Sequence, residues 1–382
     1  MSWPLLRARP ALAAAALLAA VLAAVALVWV GRLASVRTAP RERVAGANEP
    51  PAPRVAPELE SLDRHALEEA ARYAGEHGSQ ALIVSRHDHI VFERYWHGTS
   101  FDTLCDAQSF TPLLAALAVG VAISHRRIGW PDEPVGALIG EWQDDPRGAI
   151  TVRNLLQRSS GLAPAEPTWR SGRDLLRAVL HAPLAATPGT VRREQPTDAQ
   201  LLALALERAT GKRYASYLSE ALWRRIGAAD AWLLLDRPGG TAHADCCMLA
   251  RQGDWIRIGQ LLLRDGNYRG GEVIRPGWVA LLRAPAQADS RYGAFVRLAA
   301  PAAPGAEASL ARDLFAVEGE GGNRLWLAPS LEIAILRIAT ATDTTWQEAR
   351  IPNLVIRGVR DERPPAAAAG VDVPALVPGH QP

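Results

Sequence analysis

The strand-forming runs of this 382-residue chain lie towards its two ends, and a long helical stretch separates them. The string "ALIVSRHDHIVFERYW", residues 81–96, reads as two strands joined at His87-Asp88-His89, a hairpin. Strand patterns return in "YGAFVRLA", "DLFAVEG", "RLWLAP" and "LEIAILRIA", between residues 292 and 339. From about 130 to 285 the apolar residues fall mostly at helical spacing, with Pro and Gly breaks. The clear helices there are "ITVRNLLQ", "GRDLLRAVL", "DAQLLALALERATG", "YASYLSEALWRRIG" and "RQGDWIRIGQLLLRDG". Another helix ends at Gly78, one over residues 107–128 is apolar all round and therefore buried, and a last one runs about 345–358. A sheet drawn from both chain ends makes the middle an insertion. The expected class is α+β, an α/β sandwich: an antiparallel sheet flanked by helices, with an inserted mainly helical region and a cleft where the two meet.

Residues 11–30, "ALAAAALLAAVLAAVALVWV", are apolar without a charge. At about 1.5 Å per residue they match a hydrocarbon core of about 30 Å. Arg7 and Arg9 precede them. The expectation is a cytoplasmic N-terminus (1–10), a single inner-membrane pass and a domain on the periplasmic side. A cleaved signal peptide is the alternative, opposed by the length of the run and by the poor cleavage signal "RLAS". Residues 31–57 read as a Pro/Ala/Arg spacer, 58–358 as the globular domain and 359–382 as a disordered tail. A net charge of +2 without a long single-sign run excludes a nucleic-acid footprint.

Three cysteines make no disulfide framework and no zinc spacing. Cys105, Cys246 and Cys247 read as buried small residues, with no bridge expected between the adjacent pair. No metal or cofactor is expected. His87 and His89 flank the hairpin turn on alternate sides, and His243 reads as a satisfied buried histidine. Trp130, Trp142, Trp223, Trp255 and Trp326 read as core. The only lysine is Lys212, in "ATGKRY", a loop between helices on the outside of the helical region.

The strings "SFTPLLAALAVGVAI", "IGWPDEPVGALIGEWQDDPRGAITVRNLLQRSSGL", "PGTVRREQPTDAQLLALALERATGKRYASYLSEALWRRIGAADAW", "CCMLARQGDWIRIGQLLLRDG" and "EGEGGNRLWLAPSLEIAILR" follow one another in a definite order. Over about residues 58–358 the chain resembles the serine β-lactamase and penicillin-binding-protein superfamily. The nearest branch is that of the class C-related esterases and 6-aminohexanoate-dimer hydrolases. The resemblance implies three catalytic clusters around the cleft. In the first, Ser-x-x-Lys, nucleophile and base lie one helical turn apart; here it reads Ser109 to Pro112. Proline is tolerated in a first helical turn but takes no proton. In the second, Tyr-x-Asn, Glu194 and Pro196 stand at the tyrosine and asparagine positions. In the third, Lys-Thr-Gly or His-x-Gly, Glu320 stands at the basic position and Gly321 and Gly322 remain.

With Lys, Tyr, Asn and His all replaced, the resemblance implies a catalytically impaired family member, which the run 11–30 would anchor to the membrane. Ser109 is then a vestigial nucleophile or a helix cap. An unknown small-molecule or protein ligand would occupy the cleft, open or filled by Arg192, Arg193 or Arg324. Glu194 and Glu320, if both line it, would make it acidic. The alternative is an active esterase or amidase using Ser109 with a non-standard base. A third reading is a structural subunit that works through its surface.

Overall fold

A computed structural model describes residues 39–106, 110–164, 174–299, 307–339 and 345–360. The apolar run 11–30, Ser109 and the tail from 361 lie outside these described residues. Among the described residues no helix is long and apolar enough to cross a membrane.

The first half of the domain contains β1 (Arg41–Val44), α1 (Arg64–Glu76), β2 (Ser79–Arg86), β3 (His89–Tyr95), β4 (Leu104–Asp106), α2 (Thr111–Ser124), α3 (Val152–Leu156) and α4 (Leu175–Leu180). Next come α5 (Pro196–Thr210), α6 (Tyr214–Leu218), β5 (Ala231–Leu234), β6 (Met248–Arg251) and α7 (Asp254–Leu263). A small hairpin β7 (Asn267–Tyr268) and β8 (Gly271–Glu272) and α8 (Trp278–Leu282) follow. The chain closes with β9 (Arg297–Leu298), β10 (Phe315–Glu318), β11 (Arg324–Ala328), β12 (Ile333–Ala339) and α9 (Arg350–Arg357).

The main sheet has the order β3-β2-β12-β11-β10-β9, antiparallel throughout. Strands from the two chain ends meet where Arg86 faces Ile333 and Ala81 faces Ile338. The β2–β3 turn puts His87 and Asp88 at φ of 47° and 66°, the left-handed conformation that a two-residue hairpin turn needs. Both histidine side chains turn the same way rather than alternately. His87 Nδ1 and His89 Nδ1 each lie 2.6 Å from a carboxylate oxygen of Glu60, whose charge gathers them.

One face of the sheet packs on α1 and α9, the first and last α-helices among the described residues, through Leu67, Ala71, Val84, Ile335 and Val355. The other face supports α7 and the inserted region in one large core. Helix α2 is buried from Thr111 to Ile123, as its all-round apolarity requires. Four of the five singled-out tryptophans are fully buried, and Trp130 is half-buried at the core's edge.

Three expectations are corrected. The globular unit starts near residue 40, because β1 from the supposed spacer pairs with β5 and buries Val44. Its lack of apolar period hid it. The strand is held as an edge addition, with Arg43 paired to Asp230 at 2.7 Å and Glu42 to Arg213 at 2.6 Å. At the other end the domain extends to Arg360, whose N–H donates to the Ser61 carbonyl. The inserted region also contributes β5 and β6 to a second sheet, β1-β5-β6-β4, whose other two strands precede it, all from runs too short for periodicity to separate strand from helix. Finally, "YGAFVRLA" yields only the two residues of β9, because Phe295 sits at φ 55°, which no strand adopts.

Strand β12 is buried along its whole length, including Arg337. That guanidinium donates to Ser79 Oγ at 2.7 Å, to the Gly322 carbonyl at 2.6 Å and to the His77 carbonyl, and lies 4.1 Å from the Trp346 ring centroid. Arg337→Ala would leave these acceptors dry. It should cost about 2–4 kcal/mol in urea unfolding, whereas the exposed Arg94→Ala should stay within about 0.5 kcal/mol.

Candidate functional site

Helix α2 begins where β4 has brought the chain alongside β6, with Asp106 opposite Leu249. Phe110, just before the helix, packs edge-on against Trp255 at 5.4 Å between ring centroids. Trp255 in turn meets Trp223 at 5.9 Å. Asp106 is thus held by strand pairing and Phe110 by edge-on aromatic contact, while residues 107–109, Ser109 among them, lie outside the described residues. Pro112 occupies the first turn of α2, buried, where its missing N–H leaves no helical bond unmade. The hydroxyl of Thr111 beside it is fully buried without a hydrogen-bond partner.

The start of α5 forms the facing part of the inserted region. Pro196 is its first residue, again a proline where the helix needs no N–H. Just inside, Asp198 is completely buried. Ser160 Oγ donates to its Oδ1 at 2.5 Å and Gln195 Nε2 donates to the same atom at 3.0 Å, while Oδ2 has no partner. Burial raises the Asp198 carboxyl from 3.8 to about 6, against the opposing pull of those donors and of Arg158.

Glu194 precedes this helix and is captured rather than free. Its two carboxylate oxygens meet two different guanidiniums, Oε2 that of Arg158 and Oε1 that of Arg192. The arginine side chains are mostly shielded and the carboxylate is exposed: side-chain exposure is 13% for Arg158, 10% for Arg192 and 59% for Glu194. Arg158 lies over the Phe295 ring at 4.8 Å and Arg192 over the Tyr292 ring at 3.5 Å. Tyr292 and Phe295 belong to the segment that leads into the edge strand β9. The arginines therefore clasp the inserted region to the sheet edge. Burial, reinforced by the charge of Arg192, lowers Arg158 to about 10, and burial lowers Arg192 as well. Arg158 is also held at φ 54°, a left-handed conformation uncommon outside glycine.

At the sheet edge β10 turns into β11 through Glu320, Gly321 and Gly322. Gly321 and Gly322 take φ of 68° and 87°, so the turn needs glycine at both. Glu320 is exposed and makes no ion pair among the described residues. The carboxylate that faces basic groups here is Glu318, 2.8 Å from Arg297, while Arg324 binds Glu348 at 2.7 Å. Glu194 and Glu318 are each matched by arginine, and Arg192, considered from sequence, is joined on the helical side by Arg158, which was not. Arg193 stays exposed. In an arginine-rich chain nothing local marks Arg158. Its role comes from contact with Phe295, far away in sequence.

His243 is buried, with Nδ1 3.0 Å from Asp245 Oδ1 and Nε2 unpartnered, so it is only half satisfied. Cys246 and Cys247 are bridged to each other, contrary to expectation, in the turn before β6 with Cys247 at φ 68°. Donor atoms of His243, Asp245 and Cys246 lie within 4.8 Å of one another, but the bridge withholds the sulfur from a metal. Cys105 is a buried free thiol raised to about 12 by burial and is inert. Lys212 is exposed in the turn between α5 and α6, paired with Glu220.

The sequence profile described as Beta-lactamase matches residues 65–350. A 6-aminohexanoate-dimer hydrolase of Paenarthrobacter ureafaciens is 26% identical over 295 residues, covering 69% of this chain and 73% of that protein. A Bacillus anthracis structure assigned as a 6-aminohexanoate-dimer hydrolase superposes with a TM-score of 0.66 at 18% identity, covering 84% of this chain and 89% of that one. A family VIII carboxylesterase superposes with a TM-score of 0.62 at 17% identity, covering 84% of this chain and 99% of the other.

The buried Asp198 gives the site a pH signature. A carboxyl whose folded pKa is raised favours the native state while protonated, and that stability is lost as the group ionises. Between about pH 4 and about pH 6 the protein should lose on the order of 3 kcal/mol relative to Asp198→Asn, from a shift of about 2 pKa units. Urea titrations of both proteins across that range should show the gap opening and then levelling above about pH 6.

Proposed function

This chain belongs to the β-lactamase family, a serine hydrolase family by fold, and we propose that it is a catalytically impaired member whose cleft has become a binding site. The observation that carries this reading is Pro112 in the first turn of α2, where the family's serine would find its lysine. A proline nitrogen in an amide takes no proton. No other amine can substitute, because Lys212 is the only lysine and is held on the outer turn by Glu220. Tyr214 and Tyr217 belong to α6, away from the Glu194 turn, and burial raises both phenols, Tyr217 to about 12. The guanidiniums of Arg158 and Arg192 stay protonated near neutral pH and offer no base. In this reading Glu194, Pro196, Glu320, Gly321 and Gly322 are the remnants of the second and third clusters, and Ser109 is a stranded nucleophile.

A fluorophosphonate probe applied to the full chain tests this. Without a general base the serine should react on the order of 100-fold or more slowly than in a competent relative, and Ser109→Ala should change nothing. Labelling that disappears in Ser109→Ala would establish the alternative, an esterase or amidase with a non-standard base.

The same proposal places the domain outside the cytoplasm, tethered by residues 11–30. The uncharged run and the preceding Arg7 and Arg9 support it. The full chain should sediment with the membrane fraction and be released by detergent but not by salt, and removal of residues 1–38 should make it soluble. A full chain that stays soluble would remove the anchor from the reading.

A further inference from the structure

We propose that Arg158 and Arg192 form a carboxylate-binding site on the helical side of the cleft, occupied in this structure by the chain's own Glu194 and opened when a small aromatic or apolar carboxylate displaces it. The inference rests on the reading that the cleft serves binding, and it gives that ligand a chemical class.

Two guanidiniums converge on one carboxylate, a pairing far stronger for arginine than a single point charge would provide. The guanidiniums are largely shielded and held against aromatic rings, whereas Glu194 lies on an exposed turn and can return to water once another carboxylate takes its place. The Nε atoms of both arginines are buried and unpartnered, so Glu194 satisfies the pair only in part. A ligand carboxylate approaching on a flat body would meet the same two cations. The rings of Tyr292 and Phe295, which already lie under the guanidiniums, would form its wall. Neighbouring acids do not compete for the pair by direct contact: Glu318 is bound to Arg297, Asp289 to Arg291, and Asp198 to Ser160 and Gln195. An intramolecular occupant acts at a high effective concentration, so binding to the unaltered chain is weak until Glu194 is removed.

Calorimetric titration of the full chain with benzoate reads this out. Glu194→Ala and Glu194→Gln should each bind benzoate at least tenfold more tightly than the unaltered chain. Glu194→Asp, which keeps a counter-charge and so does not put folding in question, should fall between. The double variant E194A/R192A should lose the binding, and uncharged methyl benzoate should not bind any of them. Absence of saturable binding to folded Glu194→Asp and Glu194→Gln, or binding that survives the loss of Arg192, would overturn the proposal. Inorganic phosphate binding more tightly than benzoate would overturn the assigned ligand class. Ser109-dependent labelling by fluorophosphonate would defeat the impaired-hydrolase reading yet leave this site standing, and failed benzoate binding would do the reverse.

Discussion

The pairing of β2 with β12 joins residues near 80 to residues near 335, and the rest of the molecule is arranged by it. Once these strands lie side by side, the chain between them has to leave the sheet and return. It does so as the inserted region, whose core is continuous with one face of the sheet. Helices α1 and α9 cover the other face because they flank the paired strands in sequence. Such long-range closure is entropically costly, and buried strand surface must outweigh it. Arg337, inside the central strand, is the one charge admitted there, and it is tolerated because backbone carbonyls, a hydroxyl and an indole ring surround it.

Where the sheet edge meets the insertion, the side chains around Glu194 are dominated by fixed charge. Two guanidiniums have taken the space on the helical side, and a buried cation has to keep a partner. Glu194 supplies one, while the aromatic rings of the β9 approach supply the rest. Both guanidiniums hold fixed charge at neutral pH. An amine can lose its proton near neutral pH when buried, but arginine, even lowered to about 10, does not.

The fold was legible because long patterns carried it. Helix α2 is apolar on every side, and the strands at 81–95 and 324–339 are bounded by clear turns. Where runs were short the reading failed: "RERV" and "AWLL" are too brief to show a period, and their pairing to each other is a tertiary fact. Pro112 was readable in a first helical turn because helix starts have local rules, whereas Pro196 opening α5 and the left-handed Gly321 and Gly322 emerged only from the structure. The partners of Glu194 were only half readable. Arg192 lies two residues away, but Arg158 and the rings under both arginines arrive through folding. The Cys246–Cys247 bridge escaped because adjacent cysteines close on each other only when the turn around them permits it.

The scarcity of lysine, together with the position of Lys212, gives the molecule an unusual handle. Apart from the terminal amino group, an amine-directed linker has a single place to attach. That place is the far end of α5, about 22 Å along the fifteen-residue helix from the Glu194 turn. Molecules coupled to a sensor surface through that lysine share one orientation, with the Glu194 turn at the opposite end of α5.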